Sequence, residues 1–121
     1  MLYGSGGRDV LNGARGNDRL DGGPEDDTLY GGAGADRFDI NPNFKGTDTF
    51  TDVTLSDGDR LRVNTDGVNK SSWDAAGLAV LDKEADAYIV SASDHDRIYA
   101  KLIDVDHQLL IDNFSTYVEL Y

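Results

Sequence analysis

Four aspartates, Asp9, Asp18, Asp27 and Asp36, stand nine residues apart, each ending a short glycine-rich stretch. Short carboxylates offered at fixed spacing from tight loops suit a hard cation. All-oxygen, flexible, six- to eight-fold coordination is what calcium takes, whereas zinc or copper would draw His or Cys. The chain has no cysteine, which excludes disulfides, thiolate metal sites and a cysteine nucleophile. Its two histidines, His95 in a DHD triplet and His107 after DVD, sit in acidic turns with no Ser or Cys partner at recognisable spacing. They read as solvated turn residues rather than as a zinc or acid–base pair. Among 20 aspartates neighbouring carboxylates arise by chance and do not signal hydrolysis. The glycine-rich loops carry Asp where a phosphate-binding loop would carry Lys. No active site is read, and the chain is expected not to be an enzyme.

The loops that must present these carboxylates form an internal repeat. From Gly4 the chain reads GSGGRDVLN, GARGNDRLD, GGPEDDTLY and GGAGADRFD, four nonapeptides over residues 4–39 without insertion. A large apolar residue returns two positions after each Asp, at Leu11, Leu20, Leu29 and Phe38. Leu2 extends the same progression backwards, so the chain opens inside a repeat. Nine residues with up to three Gly in the first four cannot sustain a helical face, so each repeat reads as a turn plus a short strand. Gly at positions one, two and four is expected to take positive φ and curl the backbone until its carbonyls point inward, where the position-six carboxylate joins them. Two repeats make one coil of 18 residues. Loops one and three then stack on one edge, and loops two and four on the other. A flexible Gly/Asp linker would share this composition but not its register.

With 23 acidic side chains against 11 basic, the formal net charge is −12. Nucleic acid and anionic membranes are therefore poor partners, and self-repulsion opposes compaction unless cations are taken up. Carboxylates facing each other at about 5 Å repel by roughly 1 to 3 kcal/mol, a contribution that calcium reverses. The repeats offer only five inward apolar side chains, so residues 1–39 are expected to be disordered without calcium and folded with it. No run of 18 apolar residues exists, and the N-terminus has no basic stretch followed by an apolar one. Neither membrane insertion nor a Sec-type signal peptide is read.

The nonapeptides resemble the RTX, or hemolysin-type, calcium-binding repeat GGxGxDxUx over residues 2–39. The resemblance implies a parallel β-roll with calcium held between loops 18 residues apart. On that footing Asp9 and Asp27 share one ion and Asp18 and Asp36 another. Backbone carbonyls at the first four loop positions complete each shell, the matching positions including Gly4, Gly6, Gly13, Arg15, Gly22, Gly23, Gly31 and Gly32. Ser5 and Ala14 replace the second Gly, and Glu25 replaces the fourth Gly of the third repeat. An unfavourable φ there adds about 1 kcal/mol, so the Asp9 and Asp27 site is expected to be the weaker of the two.

After residue 39 the composition changes, and eight of the eleven aromatics lie there. The segment GTDTFTDVTLSDGDRLRV alternates well enough for two strands joined around Ser56 to Asp59. It is similar to the exit from an RTX roll, with Asp48 before Phe50, Asp52 before Val53 and Asp59 before Leu61. Asp48 is expected to close the last loop with an oxygen ligand, the alternative being a solvated turn carboxylate. Ser71 and Asp74 suggest the start of a short helix carrying Trp73. Leu78–Leu81, Ala87–Ala92, Arg97–Val105 and Gln108–Phe114 read as strands, with SDHD as a hairpin turn. The expected fold is all-β: a parallel β-roll (residues 1–39) followed by a small antiparallel β cap (residues 40–121).

The functional expectation is a calcium-binding module forming the C-terminal part of a larger secreted, extracellular protein. The resemblance implies export by type I secretion machinery, with upstream domains of the parent protein and calcium ions as partners. The alternative is a glycan-binding or adhesive accessory module. Two calcium ions would bring −12 only to about −8 by simple addition, which disfavours a polyanionic glycan and leaves a neutral one open.

Overall fold

A computed structural model describes residues 1–41, 45–64, 78–83, 86–91, 97–105, 107–112 and 114–120. Each nonapeptide ends in one short strand. β1 (Leu2–Tyr3) is followed by β2 (Val10–Asn12), β3 (Arg19–Asp21), β4 (Thr28–Tyr30) and β5 (Arg37–Ile40). Successive strands go alternately to two parallel sheets. Leu2 pairs with Leu20 and Leu20 with Phe38 in one sheet, and Leu11 pairs with Leu29 in the other, so each coil is 18 residues long. Strands this short have room for a single inward residue, because side chains alternate across the sheet. Leu20, Leu29 and Phe38 are fully buried in that role, while Leu2 and Leu11 at the first coil are half-buried.

The roll runs on past the last nonapeptide. β6 (Asp48–Phe50) adds to β4 with Phe50 beside Leu29, and β7 (Arg60–Val63) adds to β5 with Leu61 beside Phe38. These two strands do not pair with each other. They enter opposite sheets, and the 3₁₀ turn Leu55–Asp57 with a left-handed Gly58 carries the chain between them. The rings of Phe38 and Phe50, one from each sheet, lie 5.1 Å apart and join the two layers through one core.

The antiparallel part consists of β8 (Leu78–Lys83), β9 (Asp86–Ser91) and β10 (Ile98–Leu102). It is built onto the roll, because β10 pairs in parallel with β6 and so completes a six-stranded sheet. The other sheet is closed by β11 (Val118–Leu120), parallel to β7. Glu119 of that strand pairs with Arg37 and Arg62, and Arg62 in turn reaches Asp39, itself held by Arg19.

One element differs in type from its expectation. The strand expected over Gln108–Phe114 is not one: its described residues lie in α1 (His107–Asp112) and α2 (Phe114–Tyr117). Leu110 is fully buried while the adjacent Ile111 is exposed, and the Gln108 amide donates to the Asp112 carboxylate one helical turn on. Four-residue side-chain pairing of this kind exists on a helix and not on a strand. The helix expected near Ser71 and the SDHD turn with His95 lie outside the described residues. Among the described residues no helix is long and apolar enough to cross a membrane.

Candidate metal centre

The four repeat loops share one backbone path. Position two and position four of every repeat have positive φ: Ser5 and Gly7, Ala14 and Gly16, Gly23 and Glu25, Gly32 and Gly34. Ser5, Ala14 and Glu25 therefore sit in the left-handed region that favours glycine, at +77°, +68° and +81°. Position one does not share this conformation, contrary to the expectation from composition. Gly4, Gly13, Gly22 and Gly31 are glycine for lack of room. A Cβ on Gly4 would lie 2.5 Å from the Gly22 carbonyl oxygen and 2.8 Å from Asp9 Oδ2, and one on Gly13 would lie 2.6 Å from the Gly31 oxygen and 2.8 Å from Asp18 Oδ2. At position three the demand vanishes. Gly6 has nothing within 4 Å of such a Cβ, which is why Arg15 can stand at the equivalent place.

Stacked coils bring the repeat aspartates into two columns. On one edge Asp9 N–H donates to Asp27 Oδ1 at 2.7 Å, and Asp27 N–H donates to Asp48 Oδ1 at 3.2 Å. On the other edge Asp18 N–H donates to Asp36 Oδ1 at 2.8 Å, and Asp36 N–H to Asp59 Oδ1 at 2.8 Å. One oxygen of Asp27, Asp36, Asp48 and Asp59 thus fixes the loop before it. The second oxygen is a different matter: Oδ2 of Asp9, Asp18, Asp27 and Asp36 is buried and accepts no hydrogen bond. Each of these atoms sits against the position-one glycine of its own loop, and for Asp9 and Asp18 the carbonyl of the next stacked loop adjoins the same point.

Four buried carboxylate oxygens without a donor are an expensive arrangement, since an unsatisfied buried acceptor costs about 1–3 kcal/mol and a charged one more. Their electrostatics agree. Burial pushes the Asp27 and Asp36 carboxyls above the usual range, and the neighbouring carboxylates Asp9 and Asp18 push the same way against the backbone N–H bonds that oppose them. Burial also raises Asp59, and it pushes Asp48 up to about 7. Each loop therefore lacks positive charge at Oδ2. Among the described residues no three His, Cys, Asp or Glu side chains gather into one cluster, so a cation here would meet few carboxylates, with the Gly22 and Gly31 carbonyls beside Asp9 and Asp18. That is a hard-oxygen donor set, which fits calcium and not a thiophilic or imidazole-seeking metal.

A scan against protein-family models matches residues 2–39 to the RTX calcium-binding nonapeptide repeat, HemolysinCabind, in four copies. Residues 2–39 are RTX repeats. A search of curated proteins finds no match to the chain. RTX repeats bind calcium, and the β-roll of this chain places four buried, donorless Asp oxygens in its repeat loops.

The positions named from the sequence divide by role in this RTX roll. Asp9, Asp27 and Asp48 form one column and Asp18 and Asp36 the other; Gly4, Gly13, Gly22 and Gly31 make room; Gly23 and Gly32 turn the chain; Gly6 and Arg15 face open space. Sequence reasoning missed four contributors. Asn12 and Asp21, at position nine, accept the N–H of Ala14 and Gly23 two residues on, fixing the entry into the next loop. Tyr30 holds the same position and cannot. There the Asp52 carboxylate takes over, accepting from Gly31 and Gly32. Asp59 ends the second column. Its signal was present, since Asp59 and Leu61 keep the Asp-x-apolar spacing of the repeats without their glycines.

Proposed function

We propose that the chain is a non-enzymatic module whose roll orders on taking up calcium, with Asp9 and Asp27 serving one site, Asp18 and Asp36 another, and Asp48 a further carboxylate of the first column. Residues 1–39 supply the calcium-binding part and residues 40–121 the cap on which it stacks. The observation that carries this reading is the set of four buried Oδ2 atoms with no donor. Carbonyls at Gly4, Gly6, Gly13, Arg15, Gly22, Gly23, Gly31 and Gly32 are the proposed main-chain ligands. Calcium supplies the positive charge that lets carboxylates and carbonyls face each other. The chain supplies position-one glycines that keep the cavity open and N–H donors that hold Oδ1 of Asp27, Asp36 and Asp48. Without that charge the stacked loops gather raised, mutually repelling carboxyls, so the calcium-free roll is open and the loaded one closed.

Folding that waits for calcium suits a protein that leaves a low-calcium cytosol unfolded and folds outside. The proposed setting is accordingly a secreted, extracellular protein exported by type I secretion machinery, of which this module is a C-terminal part. The test is a far-UV circular dichroism titration of the full chain from excess chelator. Calcium is expected to raise the β signal cooperatively, and magnesium, which holds its waters and demands rigid octahedral geometry, to do so poorly. A full β signal in chelator, or equal response to magnesium, would overturn the proposal.

A further inference from the structure

The two edges of the roll end differently. In the column Asp18, Asp36, Asp59 the last carboxylate has both oxygens satisfied by backbone: Oδ1 accepts from Asp36 N–H and Oδ2 accepts from Thr54 N–H at 2.8 Å. In the repeats the equivalent Oδ2 has no donor. Residues 51–59 therefore reproduce a repeat loop in which an N–H of the loop itself stands where the others lack positive charge. The same segment grips the preceding loop a second time, through the bidentate Asp52 carboxylate on Gly31 and Gly32 N–H at 2.7 and 2.9 Å. Asp59 is 1% exposed, so its bond from Asp36 N–H is shielded from water.

The column Asp9, Asp27, Asp48 closes instead through the main chain, Glu25 N–H donating to the Lys45 carbonyl at 2.6 Å. Asp48 accepts from Asp27 N–H at the longer distance of 3.2 Å, and Asp26 accepts from the exposed Thr47 turn. This edge also holds two non-glycine residues at positive φ, Ser5 and Glu25, against one, Ala14, on the other.

We infer that Asp59 and Asp52 are positioning residues that build a metal-free terminal loop, pre-setting the Asp18 and Asp36 edge so that it takes calcium before the Asp9 and Asp27 edge. The inference rests on the calcium-binding reading above. Asp59 touches no ion; it acts by fixing the Asp36 backbone, and Asp52 acts by fixing the two glycines that open the same loop. Outer-shell partners of this kind govern metal affinity by about 10- to 100-fold.

The experiment is a calcium titration of the full chain followed by heteronuclear NMR, reading the amides of Asp18 and Asp36 separately from those of Asp9 and Asp27. In the unaltered protein the first pair should reach half-saturation at lower calcium. In Asp59→Asn the new amide group meets Thr54 N–H donor to donor. The midpoint of Asp18 and Asp36 should then rise about tenfold, while that of Asp9 and Asp27 moves less than twofold. Asp57→Asn, which removes the same charge from an exposed position in the same loop, should move neither edge. Asp52→Asn, which keeps one acceptor oxygen, should move the same edge as Asp59→Asn by a smaller factor. Equal shifts on both edges, an effect of Asp57→Asn matching that of Asp59→Asn, or a global loss of β signal in Asp59→Asn with no effect of Asp52→Asn would overturn the inference. Absence of any calcium response in the unaltered chain would overturn the calcium reading itself, and is a separate result.

Discussion

Two glycine substitutions seven residues apart should move calcium-dependent folding in opposite directions. Gly13 stands at position one of its repeat, where an added Cβ would lie 2.6 Å from the Gly31 carbonyl oxygen and 2.8 Å from Asp18 Oδ2, both well inside van der Waals contact. The Gly31 oxygen is backbone and cannot swing away, and both neighbours belong to the proposed calcium shell. Gly13→Ala is an overpacking substitution costing about 1–3 kcal/mol. For two ions taken up per folding transition, about 2 kcal/mol raises the calcium midpoint about fivefold. Gly6 stands at position three, its φ lies outside the left-handed region, and an added Cβ meets nothing within 4 Å. Gly6→Ala leaves the folded state untouched and narrows the unfolded ensemble, a gain of about 0.4–1 kcal/mol that lowers the midpoint by up to about twofold. Calcium titration by far-UV circular dichroism reads both. A Gly13→Ala midpoint within a factor of two of the unaltered protein, or both variants moving the same way, would refute the division of glycines into space-makers and bystanders.

Three further outcomes follow from the same geometry. Asp18→Ala and Asp36→Ala should each remove the same ion, so calorimetric calcium binding by the double variant should fall little below either single one, whereas additive losses would place the two carboxylates on different ions. Burial pushes the Asp48 carboxyl from 3.8 up to about 7. The folded state therefore holds its proton more tightly: the contribution of about 4 kcal/mol is fully present below pH 3.8 and disappears as pH rises through 7. In chelator the chain should gain β signal as pH falls from 7.5 to 5.5, calcium affinity should weaken over the same range, and Asp48→Asn should flatten the chelator profile. Asp39 is buried between Arg19 and Arg62 at 2.6 and 3.1 Å, so Asp39→Asn should lower the stability of the calcium-loaded chain by about 1–3 kcal/mol, seen as a lower thermal midpoint with an unchanged calcium stoichiometry.

The sequence announces the roll because every structural demand recurs with the period. Asp and the apolar residue two places on return together, and the alternation of strands between two sheets follows from a loop too short to do anything else. What stayed hidden depends on neighbours 18 or more residues away. Gly4 and Gly7 look interchangeable in the sequence, yet one makes room for a carboxylate and the other turns the chain. The entry of β6 and β7 into the parallel sheets was masked by longer connections, which shift their pairing to Leu29 with Phe50 and Phe38 with Leu61. Asp59 kept the spacing to its apolar partner and lost only the glycines, because a loop that closes on Thr54 N–H has no cavity to keep open. At Gln108–Phe114 the residues alternate loosely enough to suit a strand, and packing of Leu110 against the core decides for a helix.

The most direct test of the central claim is a crystal structure of the full chain grown in calcium, with anomalous difference density measured at long wavelength. The account predicts peaks on both edges of the roll, between the loops of residues 4–9 and 22–27 and between those of 13–18 and 31–36, each within bonding distance of an Asp Oδ2 that has no donor here. A folded roll with no density at those four oxygens, or with ions bound only to exposed carboxylates elsewhere, would contradict it.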